Sequence, residues 1–436
     1  MRYYSTNNKT LTVTLEQAVI QGLAPDGGLL LPEHIPALPD AFVRNMGSMS
    51  LHEISYAVAN YALQGDIDAA VLKSAVTDTL SFDLPLVHLG GNQYVLELFH
   101  GPTMSFKDIG TRFLARLLAH YNGRHRRNIS VIVATSGNSG GAIAHSFSDI
   151  PEVRVYILYP RGELDKVQRA QFAAMQAPNI TAIEVNGSLD DCRKLADQAF
   201  RDPDIGSRMI VNSARTVNVA RLLPQMFHYF WAAAQLMQRE QDPSQMVVAM
   251  PCGNLGNLTA GIMAKRMGLP VKRFVAVNNA NDAFVRYLLT GDYVPHPLRR
   301  SATPAIDIAE PSNFTRIKAL YGGSHFELCR DVEPYRCTDA DVDEAMRRLW
   351  TGHSYVADPH TAAACMAVNA CLCPGEVGVA LATAHPAKFR SQVEAATGHS
   401  IELPQRLAAD LDAPQHVSVI NSGYTSLKKF LLKQTD

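Results

Sequence analysis

The sequence predicts an α/β fold built on buried parallel sheets. Short apolar, β-branched runs alternate with amphipathic helical stretches along most of the 436 residues. Several of these runs are apolar throughout, the pattern of strands covered on both faces. The length exceeds what one core serves and points to two or three domains.

Residues 1–83 are the least regular. The stretch "APDGGLLLPEHIPALP" is punctuated by Gly and Pro, and the segment reads as an extra N-terminal layer. "ISVIVAT" (129–135) is then a strand that runs into "SGNSGG" and the helix "AIAHSFSDI". "VRVYILYP" (153–160) is a strand followed by the helix "QRAQFAAMQA" (168–177). "ITAIEVNG" (180–187) is a strand followed by "LDDCRKLADQAF" as a helix. "MVVAM" (246–250) leads through "PCGNLGN" into the helix "LTAGIMAKRMG". "VKRFVAVNN" (271–279) and "VGVALATAH" (377–385) are further strands. Between them, 290–315 is a long Pro-rich connection, a kind of segment that often carries function.

Composition narrows the function. The chain is 47% hydrophobic and 19% charged, with a formal net charge of -1. That balance suits large buried cores and gives no electrostatic footprint for nucleic acid or an anionic membrane. The start lacks a basic region followed by an apolar stretch, and no apolar run approaches the roughly 20 residues of a membrane span. The seven cysteines are scattered, and Cys371 and Cys373 have no partner pair at zinc-ligand spacing. Free thiols in the cytoplasm are the expectation. No H-E-x-x-H or acidic cluster suggests a metal.

Two loops share one design. "TSGNSGG" (135–141) and "PCGNLGN" (251–257) each join the end of an apolar strand to the start of a helix. The first N–H groups of such a helix are unpaired, and its dipole favours an anion. Each loop can therefore cradle a phosphate or a carboxylate, although such turns also occur where nothing binds. Neither is G-x-G-x-x-G or a Walker A loop, which disfavours dinucleotide and nucleoside triphosphate enzymes. Lys107 lies in "HGPTMSFKDIG", where Phe99, Met104 and Phe106 can supply an apolar wall. Alone it reads as a solvated lysine opening a helix. Beside two anion cradles it reads as an amine whose pKa desolvation lowers for attack on a carbonyl. An aldehyde that also carries a phosphate is pyridoxal 5'-phosphate. One cradle serves its phosphate and the other a substrate carboxylate.

At these residues the chain resembles threonine synthase, a family of fold-type II pyridoxal-phosphate enzymes in the tryptophan synthase β superfamily. "QGLAPDGGLLLPEHIP", "LELFHGPTMSFKDIGTRFLARLL", "VNSARTVNVARLLPQMFHYF", "AVNNANDAFVRYLLTGDY", "AIDIAEPSNFTR", "DPHTAAA" and "ATAHPAKF" are similar to family blocks in the family's order. The resemblance implies two open parallel-sheet domains with the extra N-terminal layer. They are an N-terminal domain at 1–83, a large cofactor domain at 84–120 and 222–436, and a small substrate-carboxylate domain at 121–221. It also implies that Lys107 binds the cofactor covalently and acts as catalytic base. Gly253, Asn254, Leu255, Gly256 and Asn257 would hold the cofactor phosphate, and Thr383 would face the pyridine nitrogen. Thr135, Ser136, Gly137, Asn138, Ser139 and Gly140 would take the substrate carboxylate. Arg221 and Lys388 would meet the substrate phosphate; the plain reading of Arg221 is a surface residue on an amphipathic helix. His100 and His385 read as structural.

Two departures bear on the substrate. The family usually has Ser-Gly-Asp-Thr-Gly where this chain has Ser136-Gly137-Asn138-Ser139-Gly140. It usually has Gly-Asn-Phe-Gly-Asp where this chain has Gly253-Asn254-Leu255-Gly256-Asn257. Each loop loses a negative charge. The expected reaction converts O-phospho-L-homoserine and water to L-threonine and phosphate. The alternative is a related lyase or β-replacement enzyme acting on another phosphorylated or phosphonate amino acid, or on serine or threonine. The expected partner is a small amino-acid substrate, and the chain a monomer or homodimer. A binding protein that merely kept the fold is disfavoured by the intact lysine and both loops.

Overall fold

A computed structural model describes residues 1–125 and 128–433. By its contacts the chain divides into two compact units. The first takes Met1, Leu31–Phe106 and Leu222–Glu402; the second takes Arg2–Leu30, Lys107–Arg221 and the residues from Leu403 onward.

The first unit is built on a six-stranded sheet. Its order is Val332–Arg336, Val271–Asn278, Met246–Pro251, Val377–Ala382, Gln93–Glu97, Leu86–Gly90. The first five strands are parallel, and only the hairpin of Leu86–Gly90 with Gln93–Glu97 is antiparallel. Val377–Ala382 is buried at every position and Met246–Pro251 at all but the last. Both are covered on two faces, which is why their sequences do not alternate. Helices Leu51–Leu63 and Ala69–Thr79 pack together in the N-terminal part of this unit. A Ser50–Glu53 capping box opens the first and Asp68 caps the second.

The second unit carries a five-stranded, wholly parallel sheet. Its order is Val417–Asn421, Ile180–Asn186, Val153–Pro160, Ile129–Ala134, Ile210–Asn212. In each unit one glycine loop follows the carboxyl end of a strand, Ile129–Ala134 or Met246–Pro251. Ligands of open parallel sheets collect at that end.

This division differs from the expected domains in three respects. Residues 1–83 do not form a unit of their own: the helix Leu15–Gln21 joins the second unit, where Asn212 Nδ2 donates to the Val19 and Ile20 carbonyls at 2.9 and 2.7 Å. Residues 107–120 also belong there, because the helix Lys107–His125 packs on the helix Asn138–Phe147. Residues from 403 onward supply the edge strand Val417–Asn421 to the small sheet, not to the large one. Two helix limits shift as well. "QRAQFAAMQA" is helical only to Ala173. The helix expected from Ala142 begins at Asn138, so Gly140 and Gly141 are helical. No helix among the described residues is long and apolar enough to cross a membrane.

Candidate active site

The segment before Lys107 is stitched to the end of a core strand. Phe106 N donates to the Thr383 carbonyl at 3.0 Å, and Ser105 forms an isolated bridge with Ala384. His385 N donates to the Met104 carbonyl at 3.1 Å. Met104 itself is held at φ 54°, an uncommon conformation for a residue with a side chain. Lys388 is fully buried and its Nζ donates to the Thr103 carbonyl at 2.8 Å. The segment that delivers Lys107, Thr383 and Lys388 are thus one hydrogen-bonded assembly in the first unit. Lys107 is the next residue. It is half-buried and opens the helix Lys107–His125, with its carbonyl accepting from Thr111 Oγ1 at 2.9 Å.

The loop Gly253–Asn257 is shaped by close approach. A Cβ on Gly253 would lie 3.0 Å from Ile306 Cα and 3.1 Å from the Ala305 carbonyl. Leu255 sits at φ 58° and precedes the helix Gly256–Arg266, whose start has no side-chain cap. The N–H groups of this first turn have no intrahelical acceptor. Asn257 is buried. Its Oδ1 lies 3.0 Å from His228 Nε2 and 2.8 Å from the Tyr229 hydroxyl. Its Nδ2 is buried with no hydrogen-bond partner. Burial pushes the His228 imidazole down to about 3, so it is neutral and Nε2 can donate to the amide.

The loop Thr135–Gly140 belongs to the second unit. Thr135 Oγ1 accepts from Gly137 N and from Gly140 N, each at 3.0 Å. The hydroxyl therefore braces the turn, and two of the loop's N–H groups are engaged internally. The remaining donors at the helix start are those of Asn138 and Ser139. Asn138 is buried and its Oδ1 has no partner. Gly137 adopts φ 132°, and a Cβ there would lie 1.9 Å from Gln168 Oε1. Ser136 is exposed and Ser139 half-buried.

Arg221 is 4% exposed, so it is not the surface residue of the plain reading. Its Nη1 donates to the Ala214 carbonyl. Burial, and then Arg215, push the guanidinium down to about 10. A Cβ on Gly110, in the first turn of the lysine helix, would lie 2.7 Å from the Arg221 carbonyl. Glycine is what lets the two segments touch. His100 Nε2 sits 2.7 Å from Glu97 Oε2, and His385 Nδ1 accepts from Ala387 N at 3.1 Å as a helix cap.

Known proteins share this chain's sequence and fold. Residues 74–381 match the family model described as "Pyridoxal-phosphate dependent enzyme". Residues 2–80 match "Threonine synthase N terminus" and residues 361–431 "Threonine synthase, C-terminal". Threonine synthase of Escherichia coli is 35% identical over 99% of both chains. That of Haemophilus influenzae is 36% identical over 99% of this chain and 100% of its own. The chain belongs to the threonine synthase family. The solved structure of the Escherichia coli threonine synthase superposes over the full length of both chains with a TM-score of 0.92. A threonine synthase from Brucella melitensis, described as PLP-bound, gives 0.93 at 28% identity, covering 100% of this chain and 99% of that one. A threonine deaminase structure is 19% identical, covers 72% of this chain, and shows the fold alone.

As a threonine synthase family member the chain takes pyridoxal 5'-phosphate, and the Gly253–Asn257 loop fits a phosphate. The uncapped helix start and the unpartnered Nδ2 of Asn257 both present donors. Sequence reasoning did not single out His228, Tyr229, Asn313 or Arg316. The first two lie in "MFHYF" and the last two in "PSNFTR". Only the i, i+3 spacing of Asn313 and Arg316 could have hinted at their contact.

Proposed function

We infer that this chain is a carbon–oxygen lyase that converts O-phospho-L-homoserine and water to L-threonine and phosphate. The observation that carries this reading is the full-length family match combined with the fixed segment Thr103–Phe106. That segment delivers Lys107 from a backbone pinned to Thr383 and Lys388.

Pyridoxal phosphate, bound through Lys107, supplies the electron sink that makes the Cα and Cβ protons of the amino acid acidic. Lys107 Nζ would take the Cα proton of the bound amino acid. The same amine then moves a proton from Cβ, and phosphate leaves from Cγ. Water adds its oxygen at Cβ, Cγ gains a proton, Lys107 returns a proton to Cα, and the departing phosphate takes up the last. Asn138 and Ser139 N–H groups, with the rest of Thr135–Gly140, hold the substrate carboxylate. Arg221 and Lys388 meet its phosphate; both are buried, and an ion met in a desolvated place is bound more strongly. The Gly253–Asn257 loop would hold the cofactor phosphate, and the Thr383 hydroxyl would serve its ring nitrogen. A hydroxyl there, unlike a carboxylate, leaves that nitrogen largely unprotonated.

All seven cysteines are free thiols, which supports a reducing compartment, the cytoplasm. We place the enzyme there as a monomer or homodimer acting on a small molecule. Incubation with O-phospho-L-homoserine tests the function. Threonine and phosphate in equal amounts are expected. Release of 2-oxobutyrate would make the chain a dehydratase-type lyase, and no product would remove the substrate assignment. The departures at Asn138 and Ser139, and at Leu255 and Asn257, are the features that favour a competing substrate.

A further inference from the structure

Behind the Gly253–Asn257 loop lies a buried polar chain that includes a cation. Arg316 is fully buried in the helix Phe314–Leu320, and its Nη1 donates to Asn313 Oδ1 at 2.7 Å. Asn313, also fully buried, donates from Nδ2 to the Asn254 carbonyl at 2.9 Å. A guanidinium only donates and a carbonyl only accepts, so the amide orientation of Asn313 is fixed at both ends. Asn254 is gripped a second time. Its Oδ1 accepts from Ser312 N at 2.7 Å and from Ser312 Oγ at 3.0 Å. The backbone of the loop is therefore held one residue before Leu255, where the chain turns into the helix start. The loop itself, Gly253-Asn254-Leu255-Gly256-Asn257, has no basic side chain.

We propose that Arg316 is a positioning residue for the cofactor's phosphate, acting through Asn313 on Asn254 and supplying the buried positive charge that the loop's own side chains lack. This rests on the assignment of the phosphate to Gly253–Asn257. Two effects follow. The relay sets the carbonyl of Asn254, and with it the direction of the N–H groups that follow. The cation also makes the surroundings of the loop favourable to a dianion, through a medium that screens poorly. Burial alone pushes the guanidinium down to about 9, so it is still charged near neutral pH, and an anion nearby would favour the charged form further. By reciprocity, the same interaction strengthens phosphate binding.

The test compares pyridoxal 5'-phosphate with pyridoxal, which lacks only the phosphate. Dissociation constants are measured spectroscopically on apoprotein for wild type, Arg316→Met, Asn313→Ala and Gly256→Asp. Loss of a charge-assisted hydrogen bond predicts that Arg316→Met weakens pyridoxal 5'-phosphate by about tenfold or more. Pyridoxal affinity should move by less than about twofold if only the phosphate is affected. A shift of the bound cofactor's phosphorus resonance should accompany the change. Should Arg316→Met fail to fold, Asn313→Ala, which breaks the relay while keeping the charge, should still weaken pyridoxal 5'-phosphate and not pyridoxal, by a smaller factor. Equal losses for both ligands, or no loss for either, would mean that Arg316 serves the fold alone. Gly256→Asp separates the two layers of the reading. If it weakens pyridoxal 5'-phosphate while the relay variants do not, only the role of Arg316 fails. If Gly256→Asp itself has no effect, the loop assignment fails.

Discussion

His228 Nε2 lies 3.0 Å from Asn257 Oδ1, and both side chains are shut away from solvent in the first unit. Burial holds the imidazole down at about 3, below its usual 6.5. The folded protein therefore binds fewer protons at this site than the unfolded chain between those two values. Its contribution to stability is complete above pH 6.5 and is lost as the pH falls. At pH 5 the loss from this group is about 2 kcal/mol. Denaturant midpoints for wild type and His228→Gln, at pH 7.5 and 5, check this. The Gln variant keeps a donor toward Asn257 but does not titrate, and its midpoint should fall less on acidification. Parallel behaviour of the two proteins would show that His228 does not report on pH.

Gly110→Ala should destabilise the second unit. Alanine gains about 1 kcal/mol over glycine as a helix former. Its Cβ would meet the Arg221 carbonyl at 2.7 Å and Cγ at 2.9 Å. A backbone carbonyl cannot step aside by changing rotamer, so overpacking of about 1–3 kcal/mol outweighs the gain. Because Arg221 is also displaced, the Michaelis constant for O-phospho-L-homoserine should rise. Urea denaturation and steady-state kinetics measure both; a more stable variant with unchanged kinetics would show that the two segments separate freely.

The double change Asn138→Asp with Ser139→Thr addresses substrate choice. Asn138 is buried with an unpartnered Oδ1 at the helix start, where a substrate carboxylate would approach. One charge and one methyl at such a place alter selectivity by about 1–3 kcal/mol, or roughly 10- to 200-fold. The ratio of kcat/KM for O-phospho-L-homoserine to that for O-phosphoserine should change by that order. The affinity for pyridoxal phosphate should stay, because its phosphate is assigned to Gly253–Asn257. An unaltered ratio would remove these two positions from the determinants of specificity.

Much of the fold is legible because its signals are local. Ile129–Ala134, Met246–Pro251 and Val377–Ala382 are apolar runs, and each is buried almost throughout. What escapes local reading is pairing at a distance. Val417–Asn421 lies beside Ile180–Asn186, with Asn186 Nδ2 donating to Asn421 Oδ1 across 235 residues, and nothing near residue 417 announces that partner. The start of the helix at Asn138 is hidden for another reason. Gly140 and Gly141 are poor helix formers, and they stand in the helix because a Cβ at Gly140 would run into Thr135 and Phe172 and one at Gly141 into Gln171. In the site, the types of residue point to the chemistry. Their engagements do not show in sequence: the bracing role of Thr135 Oγ1, the burial of Arg221 and the Arg316–Asn313–Asn254 chain all depend on packing.

We assign the attachment of the cofactor to the amine of Lys107. Borohydride reduction of the enzyme saturated with pyridoxal 5'-phosphate, followed by proteolysis and mass spectrometry, tests it most directly. The phosphopyridoxyl group should be found on the peptide that contains Lys107, and Lys107→Ala should yield a folded protein with no reducible visible absorbance. A label on any other lysine, or a Lys107→Ala protein that keeps a reducible chromophore, would rule out Lys107 as the carrier.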